Sequence, residues 1–192
     1  MLSLIGYILL CASLLAALLQ VTFPTIGLLF DKSKYYYKAR VFAYMQFVFV
    51  FASYMVLTFA FLSNDFSILY VANNSNTMLP LMYKVAAVWG GHEGSLMLWV
   101  LILNVWTMCV CIFSKALSFK FLSRVLVVLG AVSFGFLAFI VFTSDPFIEL
   151  IPPPLQGKDL NPLLQDPGMM IHPPMLYMGY VGFCVAFAFS IA

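Results

Sequence analysis

Long stretches without a single charged residue decide what this chain can fold into. Five of them are close to the ~20 residues that a helix needs to cross a hydrocarbon core. We predict five membrane-spanning helices, at residues 4–30, 41–63, 94–114, 125–143 and 175–192. The predicted fold class is therefore an all-α integral membrane protein with two long loops on the outer face, forming a single membrane domain over residues 1–192.

Composition excludes the other broad classes of protein. Charged residues make up 8% of the chain and hydrophobic residues 64%, whereas soluble domains carry roughly 25% charged residues. The net charge of +2 provides no basic field for a polyanion, so no nucleic-acid partner is expected. A sixth uncharged run, Phe66–Tyr83, contains the polar stretch Asn73–Thr77, which predicts a loop because lipid cannot satisfy such groups.

The distribution of lysine and arginine predicts the orientation of the helices. Seven of the nine basic residues lie in the two short loops or beside them, whereas six of the seven acidic residues lie in the two long loops, Asp65–Glu93 and Asp145–Pro174. We therefore expect the short loops to face the cytoplasm or the mitochondrial matrix. The N-terminus and the long loops are expected on the outer side, where the two histidines of the chain also lie.

The apolar segments give no sign of a cleaved targeting peptide or of reactive cysteines. Residues 1–30 carry no charge, so they lack the marks of a secretory signal or a mitochondrial transit peptide, and we expect a retained span. All four cysteines lie inside apolar runs, where cysteine behaves as a small hydrophobe. These cysteines are Cys11, Cys109, Cys111 and Cys184.

The first outer motif precedes the third predicted span and contains Trp89, three glycines, His92 and Glu93. Glycines permit close backbone approach, and Glu93 and Ser95 could complement the positive N-terminus of the following helix. One interpretation is a packed and capped helix start. The other gives His92 a role as a ligand or proton carrier, with Glu93 and Trp89 as further candidates.

The second outer motif carries seven prolines between Pro152 and Pro174, and His172 precedes the last two of them. Because a residue before proline is pushed towards extended geometry, we expect His172 to lie outside the helix, which can begin only near Met175. A rigidly held imidazole at a membrane edge suits an axial ligand of haem iron, although a structural role for a lone histidine is the alternative. No neighbouring cysteine pair or carboxylate cluster indicates a zinc site.

The two motifs together resemble a known family. The stretches Val88–Val100 and Gly157–Phe183 closely resemble CcmF, the haem lyase family of cytochrome c maturation. The resemblance implies haem (b type, in transit) as the cofactor, haem transport and attachment to C-x-x-C-H apocytochromes as the process, and His172 as a haem axial ligand. It transfers no ligand role to His92 and no catalytic role to any residue.

The resemblance is to the N-terminal portion of the family, because the tryptophan-rich segment and the remaining histidines are absent. It implies partners: other CcmF-like fragments carrying those elements, a haem chaperone, a thiol-reducing maturation subunit, apocytochrome c and membrane lipid. The chain alone is not expected to be active. The absent transit peptide and the 20 phenylalanines favour a split mitochondrial gene and the mitochondrial inner membrane, with a bacterial plasma membrane as the alternative.

Two other functions are considered. One is a structural membrane subunit that scaffolds partner proteins without binding haem. The other is an ion or quinone pathway subunit, which would place ionisable residues inside the spans; the five apolar runs contain none.

Overall fold

The computed structural model describes residues Met1–Ala192 and contains helices but no β-strand. Eight α-helices follow one another along the chain, with a 3₁₀ turn before the last. They are α1 (Leu2–Leu29), α2 (Ser33–Tyr36), α3 (Lys38–Leu62), α4 (Leu69–Asn74), α5 (Leu81–Ala87), α6 (His92–Phe113), α7 (Phe119–Thr143), the 3₁₀ turn (Pro162–Gln165) and α8 (Pro167–Ile191).

Five of these helices, α1, α3, α6, α7 and α8, are long and apolar enough to cross a membrane. The prediction of an all-α protein with about five such helices is therefore confirmed. The long helices begin earlier than the predicted spans; α7, for example, starts at Phe119 and includes Lys120 and Arg124. Charge marks the edge of an apolar run, but a helix continues past it because its backbone hydrogen bonds do not depend on side-chain polarity.

The start of α8 is where the sequence-based expectation is wrong. The helix begins at Pro167, eight residues before Met175, so His172 lies inside it. Asp166 caps this end: its side chain accepts a hydrogen bond from the Met169 amide (3.1 Å) and its carbonyl accepts one from the Met170 amide (2.9 Å). Proline at the first helical position needs no amide hydrogen, so the cap outweighs the local bias imposed by the later prolines.

The bundle core lies between α1, α3, α6 and α7, and short polar side chains join these helices. Ser53 in α3 donates to the Gly6 carbonyl of α1 (2.9 Å). Gln20 in α1 donates to the Leu126 carbonyl of α7 (2.8 Å) and is fully buried. Interhelical hydrogen bonds and small residues commonly stabilise the packing of helices that are surrounded by hydrocarbon.

Helix α8 lies at the edge of the bundle and packs against α6 and α7. Only two of its side chains, Val181 and Ala188, are fully buried. Its outward side carries exposed apolar residues, among them Met175, Tyr180 and Phe183, the last with 73% of its surface accessible.

Both histidines lie at one end of the bundle, here called the histidine end, which comprises residues 63–91 and 144–166 together with the adjoining helix starts. Its two long segments are joined by backbone hydrogen bonds from Leu69 to Ile148 (2.8 Å), from Leu150 to Ser67 (2.7 Å) and from Lys158 to Ala72 (2.7 Å). The segment that contains Asn73–Thr77 includes only the six-residue α4, which is too short to cross a membrane.

The opposite end, here called the lysine end, consists of residues 30–37 and 114–118 with the adjoining helix starts. Asp31 joins its two short loops by accepting hydrogen bonds from Lys120 (2.8 Å) and from the Tyr36 hydroxyl (2.6 Å). The hydrogen bond from Lys120 is the main reason that the pKa of Asp31 is lowered.

Candidate functional site

The first motif folds into a turn around the hydroxyl group of Tyr70. This buried phenol donates to the Val88 carbonyl (3.0 Å) and accepts from the Gly91 amide (2.9 Å). Burial raises the pKa of Tyr70, so the hydroxyl keeps its proton for donation. Gly94 completes the turn, because a Cβ at this position would lie 1.7 Å from the Val88 carbonyl oxygen.

Trp89 projects from this turn to α8. Its carbonyl accepts a hydrogen bond from the Ser95 hydroxyl (2.8 Å), which fixes the backbone. Its indole Nε1–H donates to the Met170 carbonyl of α8 (3.1 Å). Trp89 is half-buried. Of the three candidates in the first motif, it is the one hydrogen-bonded to the helix that carries His172.

A second set of aromatic contacts continues along the same helices. The Trp99 ring stacks on Phe136 of α7 and packs against Tyr177 of α8, with centroid distances of 5.5 and 5.6 Å. Two turns further along α6, Trp106 donates its indole hydrogen to the Met178 carbonyl (3.1 Å). Tryptophan side chains of α6 and of the turn before it therefore contact α8 at three successive levels.

His172 lies in the second turn of α8, and its side chain is exposed. Its imidazole forms no hydrogen bond with another residue, so both ring nitrogens are available. At helical spacing below it follow Leu176, Gly179 and Phe183, which are also uncovered. The imidazole thus stands at the head of an exposed, mainly apolar strip.

His92 has different surroundings. It is the first residue of α6, its Nδ1 lies 2.9 Å from the Ser144 hydroxyl oxygen, and its ring meets Phe139 edge-on. Both contacts belong to α7 or to the residue that follows it. The structure therefore turns His92 towards α7, whereas Trp89 contacts α8.

Glu93 lies in the first turn of α6, half-buried and without an ion pair. A carboxylate at this position complements the partial positive charge of the helix N-terminus. This arrangement agrees with the interpretation of the motif as a packed helix start, but no side chain caps α6, whose N-cap residue is Gly91.

The side chains at the histidine end are better suited to bind a haem than a single metal ion. No group of three or more His, Cys, Asp or Glu side chains is placed to hold a metal ion. A haem iron, however, takes only axial ligands from a protein, and a single imidazole can supply one of them. The exposed nitrogens of His172 beside apolar side chains suit that role, with a second ligand coming from elsewhere.

Tyr70 was not predicted as an organising residue. A single tyrosine in a polar segment carries no motif, and its partners Val88 and Gly91 lie about twenty residues further along the chain. The three glycines around His92 did indicate close backbone approach, but the approaching group is a phenol.

Comparisons with known proteins agree with this architecture. Residues 89–192 match the family model described as cytochrome C assembly protein. The chain is 53% identical over 189 residues to the cytochrome c-type biogenesis protein CcmF of Escherichia coli (strain K12), and equally to CcmF of Pseudomonas aeruginosa. It is 40% identical over 188 residues to the cytochrome c-type biogenesis protein NrfE of Haemophilus influenzae.

Among solved structures, the chain is similar to the cytochrome c haem lyase CcmF, with a TM-score of 0.85 and 27% sequence identity. That similarity covers 98% of this chain and 29% of the CcmF chain, and the E. coli and P. aeruginosa relatives are likewise covered over 29% of their length. The resemblance predicted from the two motifs, to the N-terminal part of CcmF, is confirmed. The chain is a multi-pass membrane protein and belongs to the cytochrome c assembly protein family.

Proposed function

We propose that the chain is a subunit of a haem lyase complex and helps to hold haem at the outer membrane face through His172. The observation that carries this proposal is the free imidazole of His172, exposed at the head of an apolar strip on α8. Imidazole nitrogen is a common axial ligand of haem iron, and apolar side chains favour contact with a porphyrin face. The family's role in cytochrome c maturation supports this assignment.

Haem is the substrate of the proposed reaction. When each cysteine of a C-x-x-C-H client adds to a vinyl group, a C–S and a C–H bond form while the S–H bond and the vinyl π bond break. The part of this chain is to hold and orient the haem. Its four cysteines lie within α1, α6 and α8, so the reacting thiols belong to the client.

The proposed partners are those of a family that works in cytochrome c maturation together with other subunits. One exposed imidazole cannot enclose a haem, and the chain spans less than a third of the length of its CcmF relatives. We expect other CcmF-like fragments to supply the tryptophan-rich segment and the remaining histidines. A haem chaperone, a thiol-reducing maturation subunit and apocytochrome c complete the proposed set.

The proposed location is the mitochondrial inner membrane, with a bacterial plasma membrane as the alternative. The basic residues of the lysine end support an orientation in which this end faces the matrix or cytoplasm. The histidine end and the N-terminus would then face the intermembrane space or periplasm, where cytochromes c receive their haem.

A structural subunit that scaffolds partners without binding haem is the second candidate. The exposed apolar residues of α8 favour it, because they offer a surface for neighbouring helices whether or not haem is present. The two functions differ in what they require of His172.

The test is to isolate the chain with its native partners as wild type, His172→Ala and His92→Ala, and to compare haem spectra and holocytochrome c yield. We expect His172→Ala alone to lower haem occupancy and yield while the complex still assembles. If His172→Ala leaves both unchanged, the scaffold function is favoured and the ligand assignment is wrong. His92→Ala is the matched control, because it removes an imidazole from the same end of the bundle.

A further inference from the structure

Two backbone carbonyls in the turn of α8 just before His172, those of Met169 and Met170, have no helical donor because residues 173 and 174 are both proline. In an α-helix the carbonyl of Met170 would accept from the amide of residue 174. Residue 174 is a proline inside the helix, and proline has no amide hydrogen. The Met170 carbonyl therefore needs a donor from outside α8 if it is removed from water.

Trp89 supplies that donor. Its indole Nε1 lies 3.1 Å from the Met170 carbonyl oxygen, across 81 residues of sequence. Trp106 makes the same type of bond to the Met178 carbonyl, also at 3.1 Å. Residue 182, however, is a glycine with an amide hydrogen of its own, so the bond from Trp106 supplements a helical donor whereas the bond from Trp89 replaces one.

Trp89 can act in this way because its own position is fixed. Its carbonyl is held by Ser95, and the flanking residues Val88 and Gly91 are held by the Tyr70 hydroxyl. Tyr70 is buried and lies in α4, within a segment joined by backbone hydrogen bonds to the loop that follows α7. The indole therefore extends from a well-anchored turn.

We propose that Trp89 is a positioning residue for His172: its hydrogen bond to Met170 fixes the turn of α8 from which the imidazole projects. This inference rests on the proposed function, in which His172 binds haem iron. Met170 precedes the histidine by two residues, and the proline pair follows it directly. Without the indole, the proline-interrupted turn keeps its cap at Asp166 but loses the hydrogen bond to the Met170 carbonyl, two residues before His172.

The test compares Trp89→Phe with Trp106→Phe in the chain isolated with its native partners. Both changes remove one indole N–H from an α8 carbonyl and leave a smaller ring. Two quantities are measured: amide hydrogen exchange over residues 168–176 before haem is added, and the affinity and absorption spectrum on titration with haemin. His172→Ala is included as a third variant.

We expect Trp89→Phe to speed exchange in this segment and to weaken haemin binding by about tenfold, as replacement of residues that orient a metal ligand does. Its spectrum should shift towards that of His172→Ala, while Trp106→Phe behaves like wild type in both measurements. If Trp89→Phe matches Trp106→Phe although His172→Ala loses the ligand, the positioning role is wrong and the proposed function stands. If His172→Ala keeps the wild-type spectrum, the proposed function itself fails.

Discussion

His92 and Ser144 join the start of α6 to the end of α7, with 2.9 Å between the imidazole Nδ1 and the hydroxyl oxygen. The pair lies beside Phe139, whose ring meets the imidazole edge-on. These contacts explain why a histidine follows the glycines of the first motif without any need for haem. They support a structural role for His92 and make that role testable.

We expect His92→Ala and Ser144→Ala each to lower the free energy of unfolding by about 1 kcal/mol, the usual worth of one such hydrogen bond. Thermal unfolding in detergent measures the effect, and the double variant should cost less than the sum of the two. A His92→Ala protein of unchanged stability that loses haem would instead assign His92 to the haem site.

Gly94 has the closest backbone neighbour at the histidine end, so we expect it to be the glycine of the first motif that is most sensitive to substitution. A methyl group there would meet the Val88 carbonyl oxygen at 1.7 Å and the Tyr70 hydroxyl at 2.6 Å. Because a backbone carbonyl cannot move aside as a flexible side chain can, we expect Gly94→Ala to destabilise the protein by about 2 kcal/mol or more.

Gly135→Ala is the matched control for that substitution. Gly135 lies in α7 with nothing within 4 Å of the added methyl group. Alanine is favoured over glycine in helices by about 1 kcal/mol, so this variant should be as stable as wild type or slightly more stable. Equal losses in the two variants would contradict the steric explanation.

The carboxyl group of Asp145 predicts a change of stability with pH. Burial raises its pKa, although the Phe147 amide donates to it at 2.8 Å. A raised native pKa means that the folded state binds the proton more tightly, so stability falls as pH rises through it. Asp145→Asn keeps the acceptor and should be more stable than wild type at pH 7, with the difference disappearing towards pH ~4.

We expect Asp31→Asn to change the stability at pH 7 in the opposite direction from Asp145→Asn. The pKa of Asp31 is lowered, chiefly by the hydrogen bond from Lys120, so its carboxylate contributes stability that is present at neutral pH and lost in acid. This variant should be less stable than wild type at pH 7 and converge with it as pH falls. Parallel pH profiles for wild type and the two variants would contradict both assignments.

The proposed orientation is tested by labelling single cysteines with a membrane-impermeant maleimide. Lys158 at the histidine end and Lys115 at the lysine end are both exposed, and cysteine can replace either in a chain without the four native cysteines. In bacterial spheroplasts, or in mitochondria with a ruptured outer membrane, we expect Lys158→Cys to react directly. Lys115→Cys should react only after permeabilisation, and the reverse order would invert the topology.

The five long helices could be predicted because uncharged length is a property of each segment alone. The start of α8 could not, since Pro173 and Pro174 locally disfavour a helix before them. The helix nevertheless starts at Pro167, where Asp166 caps it and Trp89 donates a hydrogen bond to the Met170 carbonyl. The indole of Trp89 comes from another part of the chain, so the local sequence does not indicate it.

The site residues also divide into those that one segment of sequence indicates and those that depend on contacts between distant segments. His172 was found through its motif, and its exposure is compatible with the ligand role, which remains a proposal. The organising role of Tyr70 could not be inferred, because it depends on a contact between α4 and a turn eighteen to twenty-one residues away. Trp89 was identified as a candidate without the bond that now defines its position.

The edge position of α8 has a consequence for biosynthesis. Because this helix adds only Val181 and Ala188 to the fully buried core, the four preceding long helices can associate before it is inserted. The turn bearing Trp89 belongs to that earlier assembly, so the indole is already in place when the prolines of α8 emerge. When α8 is inserted, its Met170 carbonyl therefore meets a donor whose position is already fixed, and this contact sets the rotation of the helix as it joins the bundle.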